Sequence, residues 1–252
     1  MSESVLLPTR RDEAWRYSDT DALAGVDLGT FERWEDIELA PGEARRELVR
    51  IEDDDTLALR RLRVRIGEGA RFDLFAIVAG ARLGRLEIVA TLAKDAHFEF
   101  GGVTLGGGET TREIVTRVAH EAPEATSNQT VRSVHWGRGT GNFLGRIDVA
   151  SGAQKTDAAQ SFKGLLLENG ASANAVPQLE IYADDVKCAH GATVGRLDEA
   201  ARFYMAARGL PPEAARALLV RAFLADAFVE LDDADAQETM LEAALAMLET
   251  IS

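Results

Sequence analysis

The sequence predicts a mainly-β chain, built as a coiled stack of short strands (a β-solenoid) and closed by C-terminal helices. Three observations carry this. From about Ile37 to Val194, short alternating or wholly apolar segments recur between Gly, Asp, Asn and Thr. Almost no helical periodicity lies between them, so the helical crossovers that a doubly wound sheet needs are missing. After Gly195 the apolar spacing turns helical.

Residues 1–36 read as a leader segment packed onto something else: they carry turn formers, charges and Trp15 and Trp34, with only short apolar runs. Residues 37–195 form the strand zone. Leu62, Val64 and Ile66 alternate with Arg61, Arg63 and Arg65, which puts aliphatics on one face and arginines on the other. Similar segments follow at Phe72–Val78, Leu86–Leu92, Phe98–Leu105, Ile114–His120, Thr126–Trp136, Phe143–Val149, Phe162–Leu167 and Leu179–Val186. A sandwich, a barrel and a solenoid would all accommodate them. A stack of rungs accounts best for segments apolar on both sides, Phe75-Ala76-Ile77-Val78 and Leu165-Leu166-Leu167. It also fits the scarcity of hairpin dipeptides, of which Asn169-Gly170 is the exception. No strict repeat period can be read.

Residues 196–252 read as a helical domain. Leu197 to Arg208 stops at Gly209, and Pro211-Pro212 opens a second helix running to about Leu231. Asp232, Asp233 and Asp235 offer caps for a third helix through Leu248, whose stripe is Met240, Ala244, Met247 and Ile251. In the second helix, apolar residues from Leu218 to Leu231 cover most of the circumference. It therefore needs two neighbours, either both within its own cap or one of them another protein.

Composition narrows the function. The 28 Lys and Arg against 42 Asp and Glu leave a net charge of −14, a field that repels nucleic-acid phosphate. No run reaches membrane-span length: the most apolar one, Ala217 to Leu231, contains Arg221, Asp226 and Glu230. The opening residues lack a basic region followed by a long apolar one, so no secretory signal is predicted and a cytoplasmic protein is expected. Cys188 is the only cysteine, which excludes an internal disulfide and any site built from several thiols of this chain.

Catalytic signatures are missing. Gly152-Ala153-Gln154-Lys155-Thr156 lacks the glycine before the lysine of a phosphate loop, and Gly137 to Gly141 fails the dinucleotide spacing. His97, His120 and His135 lie in strand-like segments and read as structural. His190 follows Cys188 by two residues, and in a strand such residues share a face, so thiol and imidazole could address one metal. A soft metal takes about four ligands, so the rest would come from a second chain, a cofactor or water. A buried cysteine beside a hydrogen-bonded histidine is the competing reading.

The stretch Leu179-Glu180-Ile181-Tyr182-Ala183-Asp184-Asp185-Val186-Lys187-Cys188-Ala189-His190-Gly191-Ala192-Thr193-Val194-Gly195-Arg196-Leu197-Asp198 resembles the signature of the SufB/SufD family of iron–sulfur cluster assembly proteins. Pro8-Thr9-Arg10-Arg11-Asp12-Glu13-Ala14-Trp15-Arg16-Tyr17-Ser18-Asp19 is similar to the SufD-type start of the family region, and Phe203-Tyr204-Met205-Ala206-Ala207-Arg208-Gly209-Leu210 to the family's helix ending in Arg-Gly. The resemblance implies a right-handed parallel β-helix followed by a C-terminal helical domain. It also implies a non-enzymatic scaffold of the SUF complex. Such a scaffold pairs with a SufB-like sister and binds a SufC-like ATPase through its C-terminal helices. It holds no tight cofactor. Iron or an iron–sulfur cluster would sit transiently at the subunit interface, with His190 the ligand on this side and Cys188 beside it, and ATP would be bound by the partner only. Whether the isolated chain pairs with itself stays open. The chain is much shorter than the commonest bacterial members, so fewer rungs are expected, and it lacks the helical region that usually precedes the Pro-Thr-Arg-Arg block, so any function of that part is not expected here. The alternative is a self-standing β-helix lyase or acyltransferase using carboxylates such as Asp184 and Asp185. A carboxylate-lined groove would favour that enzyme; a flat open end near His190 would favour the scaffold.

Overall fold

Residues 7–53 and 55–249 are described by the computed structural model. After short 3-10 turns at Glu13–Trp15, Thr20–Leu23 and Leu28–Phe31, the described residues form twelve strands: β1 Glu35–Leu39, β2 Ala44–Ile51, β3 Leu57–Ile66, β4 Arg71–Val78, β5 Leu83–Leu92, β6 His97–Gly106, β7 Thr111–His120, β8 Thr126–His135, β9 Thr140–Val149, β10 Asp157–Leu166, β11 Ser172–Ile181 and β12 Lys187–Gly195. Three helices follow, α1 Glu199–Ala207, α2 Pro212–Ala225 and α3 Ala234–Glu249. No helix among the described residues is long and apolar enough to cross a membrane.

Odd strands form one six-stranded parallel sheet and even strands another, in the orders β1-β3-β5-β7-β9-β11 and β12-β10-β8-β6-β4-β2. Each pair of successive strands is therefore one turn of a parallel β-solenoid, as the sequence predicts. The repeat is hidden because its length drifts. Stacked partners are 26 residues apart at Arg61 and Glu87, 29 at Glu99 and Asn128, and 32 at Asn142 and Asn174.

One corner does repeat. Gly42, Gly69, Asp95, Glu124 and Lys155 all have positive φ, between 57° and 73°. Each donates its N–H to a carbonyl of the next turn, in order Glu68, Lys94, Pro123, Gln154 and Asp185. The next residue in the upper four turns is small and buried (Ala70, Ala96, Ala125, Thr156), and an even strand begins just after it. Only two of the five are glycine, so backbone hydrogen bonding to the neighbouring turn holds the left-handed conformation that a side chain disfavours.

Inward-facing residues stack in columns. Phe72 lies on Phe98 with ring centroids 6.1 Å apart, and across the lumen Phe143 of the odd sheet meets Phe162 of the even sheet at 5.7 Å. Polar groups enter the lumen in the later turns. His120 Nε2 lies 2.9 Å from Ser127 Oγ, and His135 Nδ1 lies 3.1 Å from the Gly106 carbonyl. Burial pushes His120 down to about 4 and His135 to about 3, so both rings are neutral at physiological pH. His97, on the outer face, meets the Thr126 hydroxyl at 2.7 Å. All three make hydrogen bonds within the fold.

The outer faces are covered by the chain itself. On the even sheet Phe75, Ile77, Val103, Leu105, Val134 and Leu165 share a core with Val220, Leu224, Phe228, Met240 and Ala244. This explains why the segments around Phe75 and Leu165 are apolar on both sides. Gly101 permits the contact, since a Cβ there would run into the Ala227 carbonyl and the Phe75 ring. Arg132 donates to the Asp226 carboxylate at 2.6 Å, tying the end of α2 to β8. In the third helix Met240 and Ala244 are buried as the stripe predicts, while Ile251 lies outside the described residues.

On the odd sheet the leader is the cover, so the "something else" it packs on is its own solenoid. The fully buried Arg85 donates to Glu113 at 2.5 Å, to Glu87 at 2.6 Å and to the Ala14 carbonyl at 2.9 Å, with Trp15 stacked over its guanidinium at 3.9 Å. Glu113 also accepts from Ser18 and Asn142. Burial alone would raise the Glu87 carboxyl, but Arg85 and Arg61 outweigh it and hold it below the usual range. Trp34 lies beneath Arg61 and Arg63.

Removing one partner of this buried network leaves an uncompensated charge. Arg85→Met is expected to lower stability by about 3–5 kcal/mol in urea denaturation; a loss below about 1 kcal/mol would contradict the role given to Arg85. The two lumen histidines set a pH dependence. Their folded pKa values lie below the unfolded value near 6.5, so between about pH 4.5 and 6 the unfolded chain binds more protons. Their contribution is complete above pH 6.5 and is lost as pH falls, with a slope of up to about 1.4 kcal/mol per pH unit for each ring. Denaturation across that window should give about 2.7 kcal/mol per pH unit, and His120→Gln should roughly halve it.

Candidate functional site

A parallel stack must end somewhere, and the last turn is where the two residues singled out from sequence lie. Among the described residues strand β12 pairs only with β10, and β11 only with β9, so each leaves a row of main-chain groups without a strand partner there. The β12 residues are exposed apart from the half-buried Cys188. Register assigns both side chains to the lumen face. Cys188 continues the column Phe72, Phe98, Ser127, Ala158, and His190 continues Leu74, Phe100, Gln129, Gln160. The i, i+2 spacing thus places both at the mouth of the solenoid, with no further turn stacked on them. His190 is exposed at this edge, not sealed inside.

Cys188 packs against the small cluster around Ile147, Ala158 and Ala183. Burial pushes its thiol up, and the Asp157 carboxylate adds to the shift. Around the two residues the lumen face of the last turn is apolar: Ala173, Ala175, Pro177 and Leu179 on β11, Ala192 and Val194 on β12. Val194 is 46% exposed.

The other end of the solenoid is built differently. At lumen-facing positions of its first two turns, Arg60 pairs with Glu35 at 2.8 Å and Arg45 with Glu47. Both ends are edge strands, but Ile37, Leu39, Val49 and Ile51 of the first turn are buried beside these ion pairs, whereas Ala192 and Val194 of the last turn are exposed.

As a metal site this end is incomplete. Cys188 and His190 supply two donors, and among the described residues no three His, Cys, Asp or Glu side chains converge. A tetrahedral iron or zinc shell needs two more. Asp184 and Asp185 are exposed in the turn between β11 and β12. The Asp185 carbonyl accepts from Lys155 and its N–H donates to Gln154 Oε1, so the main chain of Asp185 continues the repeating corner of the stack. The groove between leader and odd sheet is lined by Glu13, Arg16, Tyr17, Arg117, Leu144 and Arg146. Arg117 and Arg146 bind Asp148 within the chain, and Gln178 binds Glu13.

Comparison with known proteins bears on this geometry. Residues 38–223 match the family model described as SUF system FeS cluster assembly, SufBD core domain. The iron–sulfur cluster assembly protein SufD of Escherichia coli is 38% identical over 126 residues, covering 50% of this chain and 30% of that protein. A SufBD family assembly protein of Synechocystis is 34% identical over 158 residues, 62% of this chain and 35% of its own length. SufD of Bacillus subtilis is 33% identical over 129 residues, 51% of this chain and 30% of its own. The matched stretches thus span about a third of these relatives.

Proposed function

Because the chain belongs to the SUF-system SufBD core family, and within it is most like SufD, we propose that it is a scaffold subunit of an iron–sulfur cluster assembly complex, completed across the β11–β12 end by a SufB-like sister. The observation that carries this is the asymmetry of the two ends. At the first turn ion pairs border aliphatics that are buried, whereas β12, which bears Cys188 and His190, is exposed along its length apart from the half-buried Cys188. Strand addition at such an edge would satisfy the free main-chain groups and bury Val194 and Ala192. The cluster is cargo of this seam. His190 offers an imidazole from this side and the half-buried Cys188 a thiol, with the remaining ligands coming from the sister chain or water. Asp184 and Asp185 stand exposed in a turn, with the Asp185 main chain hydrogen-bonded to the preceding turn.

The ATPase would dock on the helical side. Helix α1 has no buried residue, Phe203 and Tyr204 on it stand 78% and 57% exposed, and Leu218 of α2 is 47% exposed. Leu219 is half-buried and Phe223 packs on the shared core, so Leu218, not those two, is the side chain to test. ATP would be bound by that partner only.

The test is reconstitution with a SufB-type sister and a SufC-type ATPase. Val194→Asp is expected to weaken the sister complex at least about tenfold, near 1.4 kcal/mol, while leaving ATPase binding intact. Equal affinity of variant and native chain would overturn the seam, and a dimer of this chain in preference to the mixed pair would replace the sister with a second copy. Leu218→Asp combined with Phe203→Asp should have the reverse pattern. In anaerobic reconstitution His190→Ala should keep the complex and lose cluster absorbance; full absorbance would remove His190 from the ligand set.

A further inference from the structure

The lumen changes character partway along. Early turns are filled by Phe72, Phe98, Phe100 and Leu74, but the column that begins at Leu74 and Phe100 continues as Gln129 and then Gln160. Gln129 is completely buried, and neither its amide oxygen nor its amide nitrogen has a partner. Gln160, 2% exposed, reaches across the lumen to donate to the Gln178 carbonyl at 3.1 Å, which leaves its Oε1 unpartnered. On the facing sheet Thr116 Oγ1 is also buried and unpartnered. Its stacked neighbour is Gly145, where a Cβ would run into Gln160 Oε1.

Four buried polar atoms, from three side chains on two opposed walls, thus fall on adjoining turns. An amide has two N–H donors and an oxygen with two lone pairs, and leaving them dry in a lumen is unfavourable. We propose that this level of the solenoid is a binding site for ordered water, held by Gln129, Thr116 and Gln160. Two to four polar partners are what a buried water requires, and this level supplies them. Glycine at 145 lets the Gln160 amide and the Phe143 ring occupy the lumen where a Cβ would otherwise stand. The site does not depend on any partner of the chain. Its geometry makes it the floor of the column that ends in His190.

The experiment uses the full chain labelled with nitrogen-15. Water-selective NOE and ROE spectra should show cross-peaks from long-lived water to the Gln129 amide protons. Gln129→Met keeps length and removes the amide. It should abolish water cross-peaks at the Gln160 amide and lower Tm by about 2–4 °C. Thr116→Val should lower Tm in the same direction and serves if the methionine variant does not fold. A dry lumen, in which the two glutamines bond to each other as a ladder, predicts no water cross-peak and an unchanged or higher Tm for Gln129→Met. Either result would overturn the proposal.

Discussion

A parallel in-register ladder satisfies the main chain between turns and never closes on itself. Every N–H and C=O of an interior strand is paired with the turns on either side, but the first and last turns have only one neighbour each. The rest of the molecule is arranged around that constraint. At one end Arg60–Glu35 and Arg45–Glu47 occupy positions where deeper turns carry Leu62, Leu86 or Phe72, beside the buried Ile37, Leu39, Val49 and Ile51. At the other end the chain keeps alanines, Pro177 and Val194. This end is suited to being covered.

The flanks are covered in two physically different ways. The even sheet uses area: large aliphatics and Phe75 meet α2, α3 and Phe228, and Gly101 allows the backbones to approach. The odd sheet uses charge, with a buried arginine bridging two glutamates and a leader carbonyl under an indole ring. Such a network adds specificity of placement more than net stability, because desolvation offsets much of its Coulomb energy. Both covers come from the chain itself, and among the side chains they leave exposed are Ile181, Tyr182 and Val194 at the last turn and Phe203, Tyr204 and Leu218 on helices α1 and α2.

The candidate site was half legible in the sequence. Two residues apart in a strand means one shared face, and that relation between Cys188 and His190 holds. Which face it is depends on parity relative to stacked partners, here Ala158 and Gln160, 30 residues earlier in the chain, and local pattern carries no such information. The acidic pair Asp184-Asp185 was ambiguous for a related reason. The place of the Asp185 main chain in the repeating corner becomes visible only when it is stacked beneath Lys155, Glu124 and Asp95, three residue types with no common propensity for positive φ. A signal existed in the small residue that follows each left-handed position, Ala70, Ala96, Ala125 and Thr156, but turn lengths drifting from 26 to 32 residues blurred it. Strand starts were placed late, as at Phe162 against the observed Asp157, because polar outward residues at the beginning of a turn resemble loop.

By itself the sequence determined that the chain is strand followed by helix, that its strands are too closely spaced for helical crossovers, and that its thiol and imidazole share a face. These follow from periodicities of 2 and 3.6, which are properties of neighbouring residues. The tertiary structure alone decided which sides of the strands face the lumen, that the leader clamps its own solenoid through Arg85, and that ion pairs border one end while the other is exposed. Those features arise between residues brought together from a whole turn apart or more. The free energies that choose among them belong to contacts that no local window contains.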